Sequence, residues 1–265
     1  MAGGERGYRP GHRLSAIVPV FNERENLVPL IQELRAELHR IGSPHEIILV
    51  DDGSTDGSSA LLDSLAAAAG DLRILHLDSR RGQSTALNAG FEAARGDLLI
   101  TLDGDLQYDP ADISRLLEWI PEYDMVAGYR RRRRHGWFRR VSGRIAGAVR
   151  SEMLGDGIRD AGCSLKLFRR DLIRRMPRFD GMHRFLPLLA RLQGASVAQI
   201  PVNHRPRRAG RSKSTMRNRL LRGLQDLHGV CWLKRRAIGD EVSWRSESPG
   251  VHVALLGTHA EDDRL

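Results

Sequence analysis

The sequence predicts an α/β fold: a mostly parallel sheet flanked by helices, with an amphipathic helix toward the C-terminal side. Two observations carry this. Short apolar runs of strand length alternate four times with stretches of helical periodicity, the pattern of parallel strands joined by helical crossovers. Two of those strands end in acidic turns, and α/β folds place ligands at such strand ends. A chain of 265 residues can bury one substantial core, so one domain with an appendage is expected rather than two.

The elements follow in order. Leu14 to Val20 is a short apolar strand running into Phe21-Asn22-Glu23. Asn22 is a candidate cap for the next helix, whose Leu27, Leu30, Ile31, Leu34 and Leu38 have helical spacing. Glu46 to Val50 is a second strand, ending in the turn-rich run Asp51-Asp52-Gly53-Ser54-Thr55-Asp56-Gly57-Ser58. There Asp51 orients the turn and Asp56 is a helix N-cap. A helix through Leu61, Leu62 and Leu65 follows, then a strand at Leu72 to Leu77 and a helix from Gly82 to Ala94, ended by Gly96.

Leu98 to Leu102 reads as a buried strand that ends in Asp103-Gly104-Asp105-Leu106-Gln107. Side chains alternate faces along a strand but not in the turn after it, so Asp103 and Asp105 can converge. Two carboxylates on a tight turn suit Mg2+ or Mn2+, which take few protein ligands and leave positions for phosphate oxygens. Gln107 adds a neutral oxygen. A lone D-x-D is also simply a polar turn. The second acidic turn, at Asp51-Asp52, favours a site.

The charge needs a partner. The net charge of +9 is concentrated in Arg130 to Arg134, in Arg139, Arg140, Arg144 and Arg150, in a second cluster from Arg205 to Arg222, and in Lys234-Arg235-Arg236. Nucleic acid, an anionic membrane surface or a phosphorylated substrate would fit such a chain. Aromatic residues make up only 5%, too few to interleave stacking platforms with the arginines, so nucleic acid is not expected. From Met216 to Trp232, Leu220, Leu224, Leu227 and Cys231 share one helical face among basic residues. Such a helix lies in a membrane interface or packs its leucines on the core, and both readings stand. No window holds eighteen uninterrupted apolar residues, and the start lacks the apolar core of a signal peptide. Cys163 and Cys231 make no disulfide framework, and no His/Cys cluster has zinc-ligand spacing. The expected organisation is a flexible arm (1–12), a catalytic domain (13–215), the basic amphipathic helix (216–236) and a polar tail (237–265).

Six pieces occur in one family's order across roughly residues 14 to 235. They are Val18 to Glu23, Val50 to Gly57, Leu102 to Gln107, Gly128-Tyr129-Arg130, Gly162 to Phe168 and Gly210-Arg211-Ser212-Lys213. The chain thereby resembles the nucleotide-sugar glycosyltransferases of the dolichyl-phosphate mannose synthase type, polyprenyl-phosphate glycosyltransferases with the Rossmann-like GT-A fold. The resemblance implies inverting, single-displacement transfer of a hexose from a GDP- or UDP-sugar to an undecaprenyl- or dolichyl-type phosphate. It implies a metal held by Asp103, Asp105 and Gln107. Pro19, Phe21, Glu23, Asp52, Asp103 and Gly104 would bind the nucleotide sugar. Arg130, Arg139, Ser142, Arg207 and Lys213 would hold the acceptor phosphate, and Asp103, Asp105, Arg130 and Lys213 would carry catalysis. Phe21 stands where many relatives have Tyr, keeping a stacking face but no hydroxyl. A cytoplasmic enzyme, peripheral on the inner membrane face, is expected, with a membrane-protein partner or a homo-oligomer as a further expectation.

Charge supports this chemistry. Breaking a sugar–diphosphate bond leaves negative charge that a metal would stabilise. A hydroxyl acceptor needs a general base. A lipid monophosphate, with a second pKa of about 6, is already largely dianionic and needs cations instead. Arginine supplies a planar fork for phosphate. Two alternatives remain: a transferase with a hydroxyl acceptor, for which Asp160 is the evident base, and a non-catalytic basic binder. Asp160 would otherwise contact substrate or arginine. His183 and Arg184 either face the site or begin the helix at Phe185 to Leu189, and His204 is structural or a phosphate neighbour.

Overall fold

The computed structural model describes residues 11–130, 153–207 and 216–236, with backbone alone for 216–222 and 224. Its strands are β1 (Leu14–Val20), β2 (His45–Asp51), β3 (Leu72–His76), β4 (Leu98–Thr101), β5 (Met125–Arg130), β6 (Lys166–Arg169) and β7 (Val197–Val202). They form one sheet in the order β3-β2-β1-β4-β6-β5-β7. β1 pairs in parallel with β2 and β4, β2 with β3, and β5 with β7. β6 runs against both its neighbours, β4 and β5, so the sheet is mixed. The helices are α1 (Arg24–Ile41), α2 (Ser58–Ala67), α3 (Gln83–Ala93), α4 (Asp112–Leu117), α5 (Arg170–Arg175), α6 (Leu186–Leu192) and α7 (Met216–Arg236), with a 3-10 turn at Met182–Arg184.

The alternation of β1 splits the core in two. Leu14, Ala16 and Val18 pack with Leu27, Leu30 and Leu34 of α1 in one apolar cluster. Ile17 joins Ile48, Leu87 and Phe91 in the other, on the opposite face. Successive strand residues point to opposite faces, and helices cover both, so the central strands are apolar throughout rather than alternating. Phe91 of α3 meets Phe168 of β6 edge to face, with ring centroids 5.7 Å apart.

α7 belongs to the second cluster through Leu227 and Val230, which are 6% and 1% exposed. The helix therefore packs on the domain at these residues. Leu220 and Leu224 lie outside the described side chains. On another side of the same helix Trp232 is 59% exposed.

Two local expectations are corrected. β4 ends at Thr101, so Leu102 is already in the turn. Asn22 does not cap α1. It sits at φ 53°, a left-handed conformation, and its Oδ1 accepts the Thr55 N–H at 2.7 Å. A short side chain that bonds locally tolerates this region of backbone space. Asp56 serves α1 instead: its Oδ2 accepts the N–H of Arg24, and its Oδ1 accepts the N–H of Ser58, the first residue of α2. One carboxylate thus fastens the starts of two helices, satisfying N–H groups that have no partner within a helix.

Candidate active site

The strand directions gather the site. The C-terminal ends of β1, β2, β4, β5 and β7 and the N-terminal end of β6 all fall on one edge of the sheet. That edge therefore carries Phe21 to Glu23, Asp51-Asp52, Asp103 to Gln107, Arg130, Ser164 and Lys166, and Arg205 to Arg207. Arg139, Ser142 and Lys213 lie outside the described residues.

The D-x-D turn is tightly built. Gly104 lies against β1, where a Cβ would stand 3.3 Å from the Pro19 carbonyl oxygen, closer than a side chain comfortably sits. Leu106 adopts φ 57°, a conformation rare for a branched residue and one that marks functional turns. The Asp103 main-chain N–H donates to Ser164 Oγ at 3.1 Å, and Gln83 Nε2 donates to Asp103 Oδ1 at 2.8 Å. Asp105 accepts the Gln107 N–H on Oδ1 at 3.2 Å and the Arg207 guanidinium on Oδ2 at 2.7 Å. Burial and the neighbouring charge of Asp105 push the Asp103 carboxyl up to about 6. Two carboxylates that repel each other this way are relieved by a divalent cation. Among the described residues no three of His, Cys, Asp and Glu form a metal site by themselves. Two carboxylates on one turn fit Mg2+ or Mn2+ of the kind completed by phosphate oxygens and water. Gln107 sits on the same turn, its carbonyl accepting the Arg205 N–H at 2.8 Å.

Around the turn the cations are paired. Arg207 also approaches Glu23 at 3.8 Å, and Glu23 accepts from Asn26 Nδ2 at 2.6 Å. Arg130 grips Asp160 with both arms, Nε at 2.6 Å and Nη2 at 2.8 Å, and its own N–H adds a third bond at 3.2 Å. Burial opposes the Arg130 charge, but the bonds to Asp160 outweigh it and raise its pKa. Lys166 is only 3% exposed and donates to the Cys163 carbonyl, and burial lowers its pKa. Cys163 is fully buried, as a small core residue.

The expected nucleotide side forms an open cleft of about 540 Å³ between the ends of β1, β2 and β3, lined by Phe21, Ser54, His76 and Arg80 among others. The Arg80 guanidinium lies 4.2 Å over the Phe21 ring, so one stacking face is already covered. Asp52 faces another way: its carboxylate accepts the main-chain N–H groups of Arg81 (2.6 Å) and Gly82 (2.9 Å). Asp51 bonds the Ser54 N–H and Ser59 Oγ, orienting its turn. His183 is the middle residue of the 3-10 turn, its Nδ1 2.7 Å from Ser84 Oγ, and burial lowers its pKa to about 3, keeping it neutral. His204 stacks edge-on against Tyr108, a structural contact. Sequence reasoning missed Gln83, Lys166 and the hydroxyl roles of Ser84 and Ser164. Gln83 had one signal, its place just after a glycine at the start of a helix.

His76 sets a pH dependence. Its Nδ1 meets Asp51 and its Nε2 meets Asp63, each at 3.0 Å. Burial disfavours its charge, but the two carboxylates prevail and raise its pKa above the ordinary value. A raised folded-state pKa contributes stability that is full below the unfolded pKa and is lost as pH rises through the folded one. Thermal melts from about pH 6 to pH 9 should show a fall in Tm that His76→Gln removes. An unchanged pH slope in His76→Gln would refute the assignment.

The fold sets this acidic edge at the strand ends where α/β sheets bind ligands, and the comparisons supply the family. Residues 15–176 match glycosyl transferase family 2, and the chain belongs to that family. An undecaprenyl-phosphate 4-deoxy-4-formamido-L-arabinose transferase of Enterobacter sp. (strain 638) is 37% identical over 218 residues, 82% of this chain and 66% of that protein. The like-named protein of Serratia proteamaculans (strain 568) is 38% identical over 209 residues, 78% of this chain and 64% of its own length. The chain thus spans just under two thirds of these curated relatives. Among solved structures, glucosyl-3-phosphoglycerate synthase from Mycobacterium tuberculosis, in complex with Mn2+, UDP-glucose and phosphoglyceric acid, superposes with a TM-score of 0.62 at 20% identity, covering 83% of this chain and 80% of that one. A mannosyltransferase from Pyrobaculum calidifontis in complex with GDP-mannose and Mn2+ gives 0.53 at 22% identity, covering 75% and 59%. At these identities the likeness shows the fold, which is GT-A.

Proposed function

We propose that this chain transfers a sugar from a nucleotide sugar to a polyprenyl phosphate in a metal-dependent, inverting single displacement. The observation that carries the reading is the D-x-D turn of Asp103 and Asp105, with Arg207 paired to Asp105, at the edge that also bears Arg130. Asp103 and Asp105, with Gln107 as a further oxygen, would hold Mg2+ or Mn2+, which supplies a Lewis acid for the departing diphosphate. Pro19, Phe21, Glu23, Asp52 and Gly104 shape the donor side. Arg130 and Arg207 supply fixed positive charge for the acceptor phosphate, with Arg139, Ser142 and Lys213 assigned by the resemblance alone. Asp160 supports a phosphate acceptor over a hydroxyl: a carboxylate held by three bonds to Arg130 is a poor base. The names of the relatives support undecaprenyl phosphate, and the solved neighbours with Mn2+ support a divalent metal.

Residues 13–215 are the proposed catalytic unit, with α7 appended. No helix among the described residues is long and apolar enough to cross a membrane. Exposed Trp232 beside Lys234, Arg235 and Arg236 supports peripheral contact with an anionic membrane, assigned to the inner face by the resemblance alone. Incubating the protein with UDP- and GDP-linked hexoses and arabinose derivatives, and reading product mass, tests the reading. Undecaprenyl phosphate should be glycosylated and undecaprenol should not. A better reaction with the alcohol would overturn the acceptor class.

A further inference from the structure

The first turn of α3 is fastened on two sides. On one, Asp52 Oδ1 accepts the N–H groups of Arg81 and Gly82 at 2.6 and 3.0 Å, while its Oδ2 accepts Gly82 again at 2.9 Å. On the other, Ser84 Oγ lies 2.7 Å from His183 Nδ1 and accepts the Gly181 N–H at 3.0 Å. Between these anchors stands Gln83, the first residue of α3, whose Nε2 reaches Asp103 Oδ1 at 2.8 Å. A glutamine side chain has rotamer freedom that a fixed backbone alone does not remove. Both of its ends are defined here, one by the pinned turn and one by the carboxylate. Asp103 is held in turn from two directions, its main chain by Ser164 and its carboxylate by Gln83.

We propose that Gln83 is a positioning residue for Asp103, and that Asp52 acts on the D-x-D turn through it. The inference rests on the reading of Asp103 as a metal ligand. The amide N–H occupies one lone pair of Oδ1 and fixes the carboxylate's orientation. Asp103 then meets a cation already aimed, instead of losing side-chain freedom on binding. This also gives the two acidic strand ends a physical link. The carboxylate after β2 sets the helix start, and the helix start sets the carboxylate after β4. Groups that orient a metal ligand in this way typically change metal affinity by about 10–100-fold when removed.

The test measures Mn2+ affinity of the full chain by electron paramagnetic resonance, alongside thermal melting. Gln83→Met keeps length without the donor, and Gln83→Ala reads the same loss should the larger side chain disturb folding. Either should weaken Mn2+ binding by about tenfold or more with Tm unchanged. Asp52→Ala should also weaken it, and the Asp52→Ala/Gln83→Met pair should lose no more than the larger single loss, since one acts through the other. Affinity within about two-fold of wild type in both Gln83 variants would overturn the proposal. Multiplying losses in the double variant would overturn the route through Asp52. Asp103→Asn separates the two levels: if it too binds Mn2+ normally, the metal reading itself has failed, whereas weak binding there with normal Gln83 variants defeats the positioning role alone.

Discussion

Asp103→Asn and Asp105→Asn should each reduce sugar transfer by at least about two orders of magnitude, near 3 kcal/mol of transition-state stabilisation. Both residues stand in a turn beyond the end of β4, not in the apolar clusters, so folding should persist. The two variants differ in a second way. Asp105→Asn also loosens Arg207, whose guanidinium pairs with Asp105 Oδ2 at 2.7 Å, whereas Asp103→Asn leaves that pair intact. Asp105→Asn should therefore show the larger rise in KM for the lipid phosphate. Chelation with EDTA should silence the wild type and added Mg2+ or Mn2+ should restore it. Full turnover by metal-free protein in EDTA would refute this site assignment. Steady-state rates against circular dichroism melts decide the matter.

Breaking the Arg130–Asp160 pair should have the largest effect on stability. Asp160 is 4% exposed at the side chain and Arg130 18%, so both charges are largely out of water. Removing the Arg130 side chain takes two hydrogen bonds from a largely buried carboxylate, and removing Asp160 takes a two-armed partner from a largely buried guanidinium; breaking such a pair typically costs about 3–5 kcal/mol. Arg130→Ala and Asp160→Ala should each lower the urea midpoint accordingly. Replacing both with apolar residues of similar size, Arg130→Met with Asp160→Leu, should recover much of that loss. Activity should not return with it, because the phosphate-facing charge is gone. A double variant that regains transfer along with stability would show that Arg130 serves only the fold.

The sequence made the first half of the sheet legible and left the second half largely unread. β1 to β4 and α1 to α3 carry strong apolar periodicity because each is buried on a face fixed by its own spacing. β6 is four residues with a lysine at its head, and β7 includes a proline, so neither stood out as a strand. Its insertion between β4 and β5, antiparallel to both, depends on partners far along the chain that hydrophobic spacing does not report. The same limit governs the site. The acidic turns were readable as local patterns. Arg207 on Asp105 and Gln83 on Asp103 join residues 102 and 20 positions apart, and only the folded sheet edge brings them together. Asn22 was misassigned because capping residues and left-handed turn residues share a composition, and the competing Asp56 lies a loop away.

The antiparallel strand has a consequence for how the protein is made. β4 finishes one side of its hydrogen bonding early, against β1, but its other side waits for Lys166 to Arg169, some 65 residues later. At ordinary rates of synthesis that interval lasts about ten seconds. For that time the nascent sheet offers an unpaired, wholly apolar edge, Leu98-Leu99-Ile100, to whatever strand it meets. Slower elongation would prolong this exposure, so ribosome pausing between the two strands should favour aggregation, and a chaperone resident at the tunnel exit should protect the chain.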